Sequence, residues 1–332
     1  MPTPLLCPYC RKRVAGDKDH IFADFLGGKA YILACKDCNN RFGHEFEGKA
    51  FKQLVPLVVM LGMCGLSPPR PIKWKNAIVD PDTGSSCDLG TNKVASFSKT
   101  TPKFDEFGTL VGFHTPDLET AHKVVRQLKE NGKFKVGRIV QSRKVLYNTR
   151  NITTSSSLNS DFRRLVLKMC IAFCRRMNVD ELLIGDSVLS SLPGNRELIH
   201  EVRIDYNHYP ALDSAVPPLA HSIYVEACPE ENRAYALVRL FGTLQFFTTL
   251  QREYRGPHFS GIGFLNPVDY SETFDNIDPL RIPEPQQHVL KFLVDYKTRN
   301  SMRRLDEKVK QTFGENRMLF GSTEAQLILL MV

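Results

Sequence analysis

The chain has 332 residues, of which 42% are hydrophobic and 24% charged, and its formal net charge is +8 with a pI near 9.0. This composition excludes a mostly disordered chain, and the length predicts two domains or a small module fused to a larger body. No apolar stretch approaches the roughly 20 residues of a membrane span, and Cys7 and Cys10 stand where a signal peptide would be apolar. We therefore expect a soluble, cytoplasmic protein that does not associate with membranes.

The first feature along the chain is a pair of cysteine knuckles. Cys7-Pro-Tyr-Cys10 and Cys35-Lys-Asp-Cys38 give the spacing C-x2-C-x24-C-x2-C. An intracellular compartment disfavours disulfides, and two such pairs supply the four thiolates of a closed tetrahedral zinc site. The alternative is a chance grouping of buried cysteines. The spacing predicts a structural Zn²⁺ bound by Cys7, Cys10, Cys35 and Cys38.

The segment between the knuckles, together with the residues that follow them, predicts a small folded unit. Residues 18–22 and 30–34 read as two short strands joined through Gly27-Gly28. The segment after Cys38 starts with polar residues and then has Phe42 and Phe46 at helical spacing, which predicts a helix. The expected order is therefore strand, strand, helix.

Residues 7–48 resemble the HNH, or ββα-metal, endonucleases that carry a pair of zinc knuckles. The resemblance rests on Asp19-His20, Gly27-Gly28 and Asn39 directly after the second knuckle, all in the family's order. It implies a zinc-stapled module that hydrolyses phosphodiester bonds, with His20 as the general base and Asp19 and Asn39 holding a catalytic Mg²⁺ or Mn²⁺. The chemistry agrees, because a neutral imidazole can take a proton from water at cellular pH and hard ions prefer oxygen ligands.

One position departs from the family's pattern. The residue that braces the general base, usually an asparagine, falls five positions before Cys35, where this chain has Ala30. Either another group, such as Asn40 or a backbone carbonyl, orients His20, or the site is slower or inactive. His44 shares a helical face with Asn40 and is a secondary candidate for binding the metal or the substrate.

The rest of the chain predicts a larger α+β body. The proline-rich segment 67–71 separates a nuclease domain, 1–66, from a C-terminal region, 72–332, with a further break expected near 150–160. Periodic patterns predict helices at 54–63, 117–131, 161–177 and 288–311, and strands at 72–79, 93–98, 109–114, 201–206, 222–227, 233–241 and 244–249. The last four strands should form an antiparallel sheet. The apolar end, 327–332, should be buried against this body or against another subunit of a homo-oligomer.

Residues 122–177 form a basic stretch, with fourteen lysines and arginines against two acids, Glu130 and Asp161. Such a concentration of charge is typical of surfaces that contact nucleic-acid phosphates, although a solvated basic face with no partner is the alternative. The predicted nucleic-acid contacts, including one residue of the nuclease module, are Arg41, Lys123, Arg126, Lys129, Lys133, Lys135, Arg138, Arg143 and Lys144.

These features together predict a metal-dependent HNH endonuclease that cuts DNA. The C-terminal region would position the substrate or regulate cutting through a ligand or a partner protein, as suits defence against foreign DNA. The main alternative is an inactive zinc-stapled nucleic-acid-binding protein, to which Ala30 points. A third is an interaction protein in which Asp19-His20 is accidental. RNA is an alternative substrate, because the motif contains no base-reading element.

Overall fold

The computed structural model describes residues 4–79, 86–91, 95–130, 154–155, 158–193, 202–285, 291–314 and 327–328. Its N-terminal part is a hairpin of β1 (Asp17–His20) and β2 (Tyr31–Ala34), followed by helix α1 (Lys36–Phe42). The two strands pair antiparallel, with His20 opposite Tyr31. The predicted strand–strand–helix order is confirmed, but the helix begins two residues before Cys38. Cys35 is extended and acts as the N-cap, so the second knuckle forms the first turn of the helix.

A single turn of π-helix, Gly43–Glu47, joins α1 directly to α2 (Gly48–Cys64). Residues 36–64 are therefore helical without interruption. A π-turn inserts one extra residue per turn and rotates the side chains that follow it, and such turns are frequent at functional sites. The apolar helix predicted at 54–63 is confirmed, although it begins six residues earlier, at Gly48.

The region after the proline-rich segment contains short strands and one exposed helix. β3 (Lys73–Val79), β4 (Ser86–Gly90) and β5 (Ala95–Phe97) form an antiparallel sheet, β6 (Thr101–Phe104) and β7 (Leu110–His114) form a hairpin, and α3 spans Leu118–Glu130. Three of these strands and α3 agree with the sequence patterns. β4 and β6 were not predicted, because β4 is short and polar and β6 contains Pro102, which weakens a strand signal.

An antiparallel sheet forms the centre of the C-terminal region, as predicted, but it has six strands where four were predicted. Its order is β14-β13-β10-β11-β12-β9. The strands and the helices around them are α4 (Ser160–Arg176), α5 (Asp180–Leu183), α6 (Asp186–Ser191), β9 (Val202–Asp205), α7 (Pro210–Ala215), β10 (His221–Cys228), β11 (Arg233–Leu240), β12 (Leu244–Arg252), β13 (Phe259–Leu265), β14 (Glu272–Asn276) and α8 (Lys291–Phe313). The two-residue strands Thr154–Ser155 and Leu327–Ile328 pair in parallel.

Both faces of this sheet are covered, and α4 covers the face nearer the N-terminal module. Alternate residues of β10 divide between the faces: Ile223 and Val225 join the core that contains α4, and Tyr224 joins a smaller core with Leu212 of α7. The larger core continues through α4 into the zinc-knuckle module, where Phe46 is fully buried. Among the described residues, no helix is long and apolar enough to cross a membrane.

Candidate active site and zinc centre

The four knuckle cysteines meet in one cluster, as the spacing predicted. Their Sγ atoms all lie within 4.8 Å of one another, and the Cys10 and Cys35 sulfurs are 3.9 Å apart. Zinc–sulfur bonds of about 2.3 Å place tetrahedral sulfurs about 3.8 Å apart, so the cluster has the right size. The hydrogen bond between Cys38 and Cys7 lowers the pKa of Cys7 to about 5 and raises the pKa of Cys38, so Cys7 is the thiolate of this pair and Cys38 holds the proton. The donor set fits a structural zinc ion.

Asp19, the predicted catalytic ligand, is buried and held by two side chains from different parts of the fold. Its carboxylate accepts a hydrogen bond from the Tyr9 hydroxyl at 2.6 Å and forms an ion pair with Lys168 Nζ at 2.5 Å. The same ammonium contacts Glu47 Oε1, also at 2.5 Å. Lys168 comes from the middle of α4, and its side chain is only 3% exposed. Asp19 therefore faces an ammonium ion of the C-terminal region.

The carboxylates of this ion-pair cluster stabilise the protonated, charged form of Lys168. Burial alone would lower the pKa of Lys168, but the carboxylates of Asp19 and Glu47 outweigh it, and the pKa is raised. Burial and the neighbouring Asp19 raise the pKa of Tyr9, which stays a neutral donor. Each carboxylate oxygen of Asp19 thus has a partner within the protein, the Tyr9 hydroxyl on Oδ2 and the Lys168 ammonium on Oδ1.

Asn39 lies against Asp17. Its amide nitrogen donates to Asp17 Oδ2 at 2.8 Å and to the carbonyl oxygen of Lys18 at 3.0 Å. Asp17 was not singled out from the sequence, although it is two residues before Asp19 and so projects from the same face of β1. The carboxylate beside Asn39 is therefore that of half-buried Asp17, and not that of Asp19.

His20, the predicted general base, lies at the end of β1 and is half-buried. Its Nδ1 is buried and has no hydrogen-bond partner within the described part of the chain. Ala30, at the bracing position, is close by, since its carbonyl accepts from the Ile21 amide at 3.0 Å, but its methyl group cannot orient an imidazole. Neither of the two proposed substitutes, Asn40 or a backbone carbonyl, donates to or accepts from His20 Nδ1 within the described residues.

The loop that carries Ala30 is held by a residue that sequence reasoning missed. Glu272, at the start of β14, accepts hydrogen bonds from the Ala30 amide at 2.6 Å and from the Lys29 amide at 3.2 Å. The two partners are 242 positions apart, so no local pattern could have indicated the contact. The edge of the large sheet therefore fixes the end of the hairpin next to His20.

The predicted nucleic-acid contacts within the described residues lie in two regions, on α1 and on α3. Arg41 is exposed on α1, and His44 is exposed on the π-turn. Lys123, Arg126 and Lys129 are exposed along α3, where Lys123 pairs with Glu119 at 2.7 Å. The other predicted contacts, Lys133, Lys135, Arg138, Arg143 and Lys144, lie outside the described residues.

The part of the basic stretch on α4 has a different role from the one expected. Arg164 is 8% exposed, pairs with Glu45 at 2.6 Å and donates to the Leu192 carbonyl at 2.8 Å. Arg164 and Lys168 are thus basic side chains of α4 that form ion pairs with acids of the zinc-knuckle module. These two cations join the module to the C-terminal region and are not exposed to a phosphate backbone.

A comparison with known protein families agrees with this geometry. Residues 7–55 match the family described as HNH endonuclease. No curated protein and no solved structure gave a significant match. The segment matched contains both knuckles, the hairpin, α1 and the π-turn. The match is confined to residues 7–55, and the remainder of the chain lies outside it.

Proposed function

We propose that this protein is an endonuclease that hydrolyses phosphodiester bonds of DNA at its N-terminal module, with Mg²⁺ or Mn²⁺ as the catalytic ion. The observation that carries the proposal is the four-cysteine cluster, which ties the N-terminal turn at residues 7–10 to the start of α1 within a segment matching the HNH endonucleases. His20 lies on β1, which pairs with β2, and β2 leads directly into Cys35, so a zinc ion would hold this hairpin against Asn39 on α1.

Four polar residues of the module have a task in this proposal. His20 takes the proton of the attacking water, which leaves an imidazolium whose charge favours the anionic phosphoryl group. Asn39 and Asp17 offer oxygen atoms beside the hairpin. Exposed Arg41 contacts a flanking phosphate. A divalent ion supplies charge neutralisation on the phosphoryl oxygens when bound.

The C-terminal region supplies the substrate surface and the control in this proposal. Exposed Lys123, Arg126 and Lys129 on α3 contact phosphates, together with the basic residues at 133–144. Lys168 and Glu272 link the hairpin to α4 and to the large sheet, so a ligand, a partner protein or a second copy of the chain that binds this region could alter the site. Such control suits a cytoplasmic protein that acts against foreign DNA.

A second candidate function is nucleic-acid binding without cleavage. Two observations favour it: Ala30 leaves His20 Nδ1 without a brace among the described residues, and the Lys168 ammonium occupies the carboxylate of Asp19. Such a protein would retain the zinc-stapled fold and the basic surface. It would bind DNA with the same salt dependence and leave it intact.

The test of the proposal is cleavage by the purified, zinc-loaded full chain. We expect supercoiled plasmid DNA to be nicked or linearised only when Mg²⁺ or Mn²⁺ is added, with structured RNA of similar length cut more slowly. Gel electrophoresis measures both substrates under the same ionic strength. Binding of plasmid without cleavage, by protein shown to be folded, would support the second candidate instead. Faster cleavage of RNA would overturn the choice of DNA.

A further inference from the structure

A second group of metal-ligand side chains lies in the C-terminal region. Cys228 ends β10, Glu230 lies in the turn that leads to β11, and His258 directly precedes β13. The Cys228 sulfur is 3.3 Å from Glu230 Oε2, and His258 Nε2 is 2.8 Å from Glu230 Oε1. One ligand atom from each side chain lies within 4.8 Å of the other two.

The backbone fixes these three residues relative to one another. Because Ala227 pairs with Phe259 in the antiparallel register of β10 and β13, Cys228 and His258 fall at the next opposed positions. The intervening turn is closed by a hydrogen bond from the Asn232 amide to the Pro229 carbonyl at 3.1 Å. The ligands are thus presented by a rigid sheet end, which lowers the entropy cost of gathering them around an ion.

The donor set indicates the kind of ion. A thiolate, an imidazole and a carboxylate together suit a borderline divalent ion, and three protein ligands with an open fourth position are typical of non-structural zinc sites. Zinc bonds of about 2.0–2.3 Å place tetrahedral donors about 3.3–3.8 Å apart. The Cys228–Glu230 separation of 3.3 Å falls in this range, and the hydrogen-bonded His258–Glu230 pair at 2.8 Å would separate slightly when both groups bind the ion. We propose that Cys228, Glu230 and His258 bind a second zinc ion, with water as the fourth ligand.

This site is separate from the nuclease module. His221 and Glu272 lie at the end of the sheet that contacts the nuclease module. Cys228 lies seven residues after His221 on β10, which corresponds to about 23 Å along an extended strand. The side chains of Glu230 and His258 are 67% and 56% exposed, so an ion from solution can reach them. The proposal therefore does not depend on the nuclease activity, and its test requires no cleavage assay.

The test is the zinc content of the full-length protein after equilibrium dialysis against micromolar zinc. We expect two zinc ions per chain in the wild type and one in Cys228→Ser and in His258→Gln. Replacement of the second ion by Co²⁺ should give absorption bands of a tetrahedral site with one thiolate, absent from both variants. Thermal unfolding checks that the variants are folded, as expected for substitutions at accessible side chains.

His208→Gln is the matched control. His208 is also exposed and pairs with a carboxylate, Asp213 at 2.6 Å, but no cysteine joins them in a three-residue group among the described residues. This variant should keep both zinc ions. A wild type that binds one zinc ion, or a second ion that persists in Cys228→Ser and His258→Gln, would overturn the proposal.

Discussion

Cys38→Ser is expected to abolish tight zinc binding and to unfold the N-terminal module. Cys38 is one of four sulfurs that lie within 4.8 Å of one another, and serine oxygen is a poor replacement for a zinc thiolate. Structural zinc contributes about 10–16 kcal/mol in small zinc-binding peptides, so loss of the ion outweighs the stability of a typical domain. Zinc per chain by atomic emission and protease cleavage within residues 7–55 measure the two effects.

Cys174→Ala is the control for removal of a thiol. Cys174 is fully buried in α4 outside the cluster, and burial raises the pKa of its thiol. This variant should lose stability through a small cavity and keep its tightly bound zinc. If Cys38→Ser retained that zinc and its protease resistance, the cluster would not be a structural zinc centre.

Lys168→Met is expected to destabilise the fold by about 3–5 kcal/mol, the cost of breaking a buried ion pair by removing one partner. The substitution leaves the carboxylates of Asp19 and Glu47 facing each other in a site where Asp19 is 3% exposed. Because the pKa of Lys168 is raised, its contribution is complete below about pH 10.4 and is lost only as the pH rises through the folded-state pKa. Chemical denaturation at neutral pH measures the change.

Two further variants identify the cause. Lys168→Met combined with Asp19→Asn should recover part of the loss, because it removes one of the two uncompensated charges. Lys123→Met breaks an exposed ion pair with Glu119 and should change stability by no more than about 0.5 kcal/mol. Equal effects of Lys168→Met and Lys123→Met on the free energy of unfolding would show that the buried ion pairs do not stabilise the packing of α4 against the module.

The four-cysteine cluster and the order of the module could be predicted because their signals are local. Two C-x2-C pairs specify their own chemistry wherever the chain brings them together, and Asp19-His20 sits on a strand between them. The partners of these residues could not be predicted. Lys168 is 149 positions from Asp19, and its place in a basic stretch indicated phosphate contact. Only the packing of α4 against the module shows that it is an internal ion-pair partner.

Strand β13, which was not predicted, has a similar explanation. β13 contains Gly261 and Gly263, which weaken a strand pattern. In the fold, a Cβ at Gly263 would lie 2.7 Å from the ring of Phe274 and 2.9 Å from that of Phe173 on α4. Glycine is therefore needed for the close approach of the helix to the sheet. Tertiary packing, which a single sequence does not display, accounts for this choice of residue.

The proposed cutting of DNA by the ββα module through His20 is tested most directly by comparing His20→Ala with the wild type. The measurement is the initial rate of nicking of supercoiled plasmid in Mn²⁺ by proteins with equal zinc content. Loss of a general base predicts a rate at least about 100-fold lower, with zinc binding and thermal stability preserved. His208→Gln, on an exposed histidine far along the chain, should cut at the wild-type rate. Unchanged cleavage by His20→Ala would contradict the account and would place the activity outside His20.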